Sequence, residues 1–128
     1  MSATRRVVAI VDDLMLESRI STAAPDDIAL VFPRDAKTFK EQLDPPPDLI
    51  VVSMTATRLP WVELIHATRA HPLSRDVPIL AFGPHMDLEL RHGALEAGAN
   101  RVLANSAFMM ALPRLLRGGE EPDRPTTG

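Results

Sequence analysis

The sequence contains no cysteine among its 128 residues. Disulfide bonds, thiolate zinc sites and thiol catalysis are therefore excluded. Long apolar runs are also missing, so no membrane-spanning helix is expected. The apolar stretch that follows Arg5-Arg6 has only five residues and meets two aspartates, which makes it too short for an export signal. We expect a cytoplasmic protein that does not associate with a membrane.

Neither sign of charge dominates the chain. The formal net charge is −3, and the last eleven residues hold three carboxylates and one arginine, a net of −2. The remaining 117 residues therefore carry only −1. Without a basic face, nucleic acid is not an expected partner.

Five short apolar runs recur along the chain, and they do not alternate with polar residues. Such continuous runs are typical of strands buried on both faces of a parallel sheet. The segments between them are long enough for crossover helices. The pattern predicts one doubly wound α/β domain over residues 1–117, followed by a disordered tail over 118–128. The predicted strands are Val7–Val11, Ile28–Phe32, Leu49–Val52, Val77–Phe82 and Val102–Ala104.

The helix limits are also readable. Asp13 and Asp35 are suited to cap the first two helices, and Pro60 suits the first turn of the third. The fourth helix is expected over 86–97, with Gly98 as its C-cap. The fifth is expected over 107–117, where Pro113 will kink it or delay its start.

Ligands of open parallel sheets bind at the carboxyl ends of the strands. The residues expected there are Asp12 and Asp13, then Ser53, Gly83 and Asn105. The flanks of Ser53 do not form a G-x-S-x-G elbow, and Asp12-Asp13-Leu14-Met15 is not a Gly-rich nucleotide loop. No enzymatic activity is expected from this set.

The sequence resembles the receiver domain of response regulators over residues 4–117. The resembling segments are VVAIVDD at 7–13, PDLIVVS at 47–53, RDVPILAFG at 75–83 and GALEAGANRVLAN at 93–105. The resemblance implies a flavodoxin-like (βα)5 fold with strand order 2-1-3-4-5. It also implies a role in two-component signal transduction through a protein partner.

The resemblance places most of the family's phosphorylation site on substituted residues. Asp12 and Asp13 match the acid pair that holds magnesium, whereas Ser53 stands where the phosphoacceptor aspartate is expected. Gly83 replaces the Ser/Thr that senses the phosphoryl group, and Asn105 replaces the lysine that pairs with it. Val102 stands in place of the aromatic switch residue, and the loop 55–61 lacks the usual Met-Pro-Gly pattern. These substitutions predict a pseudo-receiver that is not phosphorylated.

Asp12 and Asp13 alone would make a weak magnesium site, because Mg²⁺ gives up its water reluctantly and no third carboxylate is present. Adjacent like charges disfavour each other. From the sequence, Asp12→Asn is therefore expected to be neutral or stabilising near pH 7.

The expected function is that of a non-phosphorylatable protein-interaction module. Two alternatives stay open: a receiver-like domain that senses a small molecule in its altered crevice, and a receiver still regulated by phosphorylation. Met15, Leu59 and Trp61 fall near the strand-end loops and are candidates for a docking surface. The same three residues could instead fill the space left by the missing phosphoryl site.

Overall fold

The computed structural model describes residues 5–84 and 86–118 of the chain. Five parallel strands form one sheet in the order β2-β1-β3-β4-β5, which confirms the predicted fold. The strands are β1 (Arg5–Ile10), β2 (Ile28–Val31), β3 (Leu49–Ser53), β4 (Ile79–Gly83) and β5 (Arg101–Ala104). The helices are α1 (Leu14–Ala23), α2 (Ala36–Glu41), α3 (Trp61–Ala70), α4 (Leu88–Ala97), α5 (Asn105–Met110) and α6 (Leu112–Leu116).

The sheet has a core on each face because successive side chains of a strand point to opposite sides. Val8 and Ile10 of β1 pack into the core that also holds buried residues of α2, α3 and α4. Val7 and Ala9 pack into the second core, with buried residues of α1, α5 and α6. This double burial explains why the strand sequences are continuously apolar.

Side-chain caps fix the starts of three helices. Asp13 Oδ1 accepts hydrogen bonds from the backbone N–H groups of Met15 and Leu16, at 2.9 and 3.1 Å. Asp35 caps α2 in the same way. The fourth helix begins at Leu88, later than predicted, because Asp87 caps it through the N–H of Leu90.

Pro113 divides the last predicted helix into two. The helix α5 ends at Met110, and Pro113 lies in the first turn of α6, where its missing N–H costs nothing. Of the predicted tail 118–128, only Gly118 belongs to the described residues, and its N–H donates to the Leu115 carbonyl. The rest of that prediction lies outside them. None of the described helices is long and apolar enough to cross a membrane.

Candidate functional site

The site lies at the carboxyl edge of the sheet, beside the point where the strand order reverses between β1 and β3. Hydrogen-bonded pairing places β1 next to β3, β3 next to β4 and β4 next to β5. The segments that follow these strands therefore meet at one edge. Asp12 and Asp13 follow β1, Ser53 ends β3, Gly83 ends β4 and Asn105 follows β5. The structure brings all five predicted residues to this edge.

The two adjacent aspartates bind different parts of the backbone. Asp12 is half-buried, and its Oδ2 accepts from the N–H groups of Thr57, Arg58 and Leu59, at 3.0, 2.6 and 3.2 Å. Asp13 is exposed and caps α1. The loop between β3 and α3 thus satisfies one carboxylate, and the start of α1 satisfies the other.

Ser53 has little access to solvent, with 3% of its surface exposed. Its Oγ lies 3.1 Å from the Thr55 hydroxyl and 3.4 Å from the Thr55 backbone nitrogen. A hydroxyl becomes a good nucleophile only when a base takes its proton, and the polar partner seen here is a second hydroxyl. The Ser53–Thr55 pair is a local turn interaction rather than an activated nucleophile.

The end of β4 is covered by Met54. A Cβ atom added at Gly83 would lie 2.8 Å from Met54 Cε and 3.2 Å from Met54 Cβ. Met54 is itself 2% exposed, and its backbone N–H donates to the Phe82 carbonyl at 2.9 Å. Met54 therefore fills the space that a larger side chain at position 83 would enter.

Asn105 begins α5 with an exposed side chain. An amide carries no charge that could offset an anion in the crevice. Val102, on β5, is half-buried and packs against the core on the α3 and α4 side.

The residues present make a weak donor set for a resident Mg²⁺ ion. Asp12 Oδ2 already accepts three N–H bonds, and Asp13 Oδ1 accepts two. At the end of β3, the third place at this edge, Ser53 offers a hydroxyl rather than a carboxylate. Within residues 5–84 and 86–118, no three His, Asp or Glu side chains come together as a metal-binding group. Mg²⁺ demands near-ideal octahedral oxygen geometry, and the backbone bonds to Asp12 Oδ2 and Asp13 Oδ1 reduce the carboxylate oxygens available to it.

The predicted docking surface needs a correction. Leu59 and Trp61 are only 2% and 9% exposed and belong to the core on the α3 side of the sheet, which favours the alternative that they fill internal space over a docking role. Leu59 lies in the β3–α3 loop, whereas Trp61 is the first residue of α3, and both pack into that core. Of the predicted three residues only Met15 is on the surface, with 76% of its area exposed, next to Leu14 with 79%.

Sequence reasoning missed Met54, Thr55 and the amides of the β3–α3 loop. The loop amides give no sequence signal, because every residue except proline has one. Thr55 could have been found, since a hydroxyl two residues after Ser53 is suited to a local turn bond.

No protein-family model and no curated protein matches the chain. Solved structures do match its fold. A response regulator from Hahella chejuensis superposes with a TM-score of 0.77 at 17% identity, covering 95% of this chain and 99% of that one. The chemotaxis response regulator CheY4 of Vibrio cholerae gives 0.74 at 17% identity, with coverages of 90% and 98%. The chain has a receiver-like fold.

A third similar structure was solved with a metal ion. It is the receiver domain of the sensor histidine kinase PA1611 from Pseudomonas aeruginosa, with a TM-score of 0.71, 20% identity and coverages of 91% and 97%. That protein has a magnesium ion coordinated in its active site cleft.

Proposed function

We propose that this receiver-like domain is not phosphorylated on an aspartate and acts as a protein-interaction module in cytoplasmic signal transduction. The observation that supports this most directly is the identity and burial of Ser53. It ends β3, the strand beside the switch in strand order, and its hydroxyl is paired with Thr55. An acyl phosphate requires a carboxylate at the point of attack.

The surroundings of Ser53 support the same conclusion. A phosphoryl group at this edge would need cationic or metal partners to balance its charge. Asn105 is neutral, Gly83 has no hydroxyl, and Asp12 is held by loop amides. These three positions do not supply groups that would stabilise a phosphorylated state, and we propose no catalytic activity for the crevice.

The ligand-sensing alternative has less support. The polar groups at the strand ends are largely paired with one another, as Ser53 is with Thr55 and Asp12 with the loop. A buried ligand would have to displace Met54 or break these bonds. We therefore favour a role carried out by the outer surface, where Leu14 and Met15 are exposed.

The phosphorylation state is tested with purified protein treated with acetyl phosphate and Mg²⁺. We expect the intact mass to stay unchanged, because no carboxylate stands at the end of β3. The cyanobacterial phytochrome response regulator RcpA, a similar structure solved in its phosphorylated form, is the positive control. A mass increase of one phosphoryl group that hydroxylamine removes would show an aspartyl phosphate and contradict the proposal.

The interaction role is tested by a separate pull-down experiment with a matched control variant. Proteins retained by the immobilised wild-type domain from its native cell extract should be lost on Met15→Glu. They should be retained by Leu73→Glu, which changes an exposed leucine in the segment before β4. Equal retention by both variants would exclude Met15 from the docking surface.

A further inference from the structure

The β3–α3 loop contains three consecutive N–H groups that converge on one oxygen. The donors belong to Thr57, Arg58 and Leu59, and the acceptor is Asp12 Oδ2, just after the neighbouring strand β1. Successive backbone N–H groups that point to one place form a concave anion-binding nest. Here the anion is a side chain of the same molecule, about 45 residues away in sequence.

The direction of these bonds decides the role of the carboxylate. An N–H group presents the positive end of its dipole to the acceptor, so a cation beside the same oxygen would meet three positive dipole ends. Bonds from N–H groups to an ionised carboxylate are among the stronger ones in proteins. The nest is therefore suited to an anion and opposes a cation at that oxygen.

The loop in turn positions core residues. Leu59 supplies the third N–H and is itself 2% exposed, and Trp61 begins α3 inside the same core. A loop of irregular backbone has no ladder of its own to fix its path. The nest supplies that constraint at the point where the chain enters α3.

We propose that Asp12 is an internal anionic ligand that locks the β3–α3 loop and thereby seats Leu59 and Trp61. It is a positioning residue, with the loop amides as its binding site. The crevice is held in one state by this contact rather than by a bound cation or phosphoryl group. The proposal goes beyond the proposed function, which cites the same Asp12 contacts but rests most directly on Ser53.

The test compares Asp12→Ala with Asp35→Ala by amide hydrogen exchange and thermal melting. Asp35 caps α2 through one N–H, so its variant controls for losing a capping carboxylate elsewhere. We expect exchange at Thr57, Arg58 and Leu59 to rise about tenfold in Asp12→Ala only, which corresponds to about 1.4 kcal/mol of local stability. Wild-type exchange at these amides in Asp12→Ala would overturn the proposal.

A magnesium titration of the wild-type protein completes the test and needs no variant. We expect millimolar MgCl2, compared with NaCl at equal ionic strength, to leave the amide signals of residues 57–59 and the Tm unchanged. Selective shifts of those signals with a Tm rise of several degrees would show that the cation takes Asp12 from the loop, and would overturn the proposal. If Asp12→Ala does not fold, Asp12→Asn replaces it, with a smaller rise in exchange expected. Neither readout depends on phosphorylation, so the two proposals can fail separately.

Discussion

At the scale of the residue, the contact between Met54 and Gly83 shows how the crevice is filled from within. Met54 Cε occupies the space beside the Gly83 backbone, 2.8 Å from where a Cβ would be. Methionine is unbranched and can fill irregular space. Glycine at 83 and methionine at 54 are therefore a matched pair, and neither should be replaced alone without cost.

Gly83→Thr is expected to lower the free energy of unfolding by about 1–3 kcal/mol, because it overpacks the site against Met54. The loss should be smaller when Met54 is first changed to Ala, with a coupling of about 1 kcal/mol in a double-mutant cycle measured by urea unfolding. Gly93→Ala is the control, since nothing lies within 4 Å of an added Cβ in α4. It should be neutral or stabilising. Additive effects at 54 and 83 would contradict the pairing.

For Asp12, the structure changes the stability effect that the sequence predicts. The sequence alone predicts that Asp12→Asn is neutral or stabilising, because an adjacent carboxylate repels it. The structure separates the two functions of the pair, and Asp12 accepts three N–H bonds in the loop. Asparagine keeps one oxygen acceptor without the charge, so we now expect it to be destabilising.

At the scale of the element, the cap that Asp35 forms at the start of α2 makes the stability of the protein depend on pH. The N–H of Thr38 donates to its carboxylate, and this bond, with a smaller contribution from Lys37, lowers the pKa of Asp35 below the ordinary 3.8. A lowered folded-state pKa means that the unfolded chain binds the proton more readily. The stabilisation is therefore present above pH 3.8 and is lost as the pH falls through the folded-state pKa.

Asp35→Asn should remove this pH dependence while keeping an oxygen that can cap the helix. We expect the wild type to be the more stable protein at pH 6, and the difference in urea midpoint to shrink as the pH falls below 3.8. Asp26→Asn, in an exposed turn before β2, controls for the removal of one negative charge. A difference that stays constant down to pH 2.5 would show that the Asp35 charge does not contribute.

The elements also show what sequence can and cannot predict here. The strands were predicted to within two residues of their observed ends, because burial on both faces leaves a continuous apolar run. The start of α4 was placed too early, since Met86 suits a helix and the cap at Asp87 was overlooked. Leu59 and Trp61 were ambiguous because a loop sequence does not reveal which side chains turn inward.

At the scale of the whole molecule, the two edges of the sheet are fixed by different means. At the amino edge, the Arg69 guanidinium donates to the carbonyls of Gly98, Arg75 and Val77 and to Asn100 Oδ1. Burial lowers the pKa of Arg69 below its ordinary value, and the nearby Asp76 offsets part of this effect. The guanidinium stays charged. At the carboxyl edge, a carboxylate binds loop amides. Arg69 reaches Gly98, 29 residues away, and Asp12 reaches Thr57, 45 residues away, and such distant partners cannot be read from local patterns.

At the scale of the whole carboxyl edge, the pseudo-receiver proposal predicts that Ser53→Asp alone does not produce a phosphorylation-like switch, because the other residues of the edge are unchanged. Ser53→Asp places a carboxylate at a site with 3% exposure, beside neutral Thr55 and with the amide of Asn105 in place of a cation. We expect it to lower the free energy of unfolding by about 1–3 kcal/mol. We also expect no change in its amide spectrum on adding beryllofluoride with Mg²⁺.

The matched control is Ser53→Asn, which adds nearly the same volume without charge. The extra destabilisation of Ser53→Asp over Ser53→Asn then measures the cost of the buried charge, and it should be largest near neutral pH, where the carboxylate is ionised. Gly83 has no hydroxyl and Val102 has no aromatic ring that could respond to an anion at position 53. Asp12 is held by the loop amides. We therefore expect no conformational change to follow from a negative charge there. Beryllofluoride-dependent shifts across β4 and β5 in Ser53→Asp would show that the switch survives, and the pseudo-receiver interpretation would then be wrong.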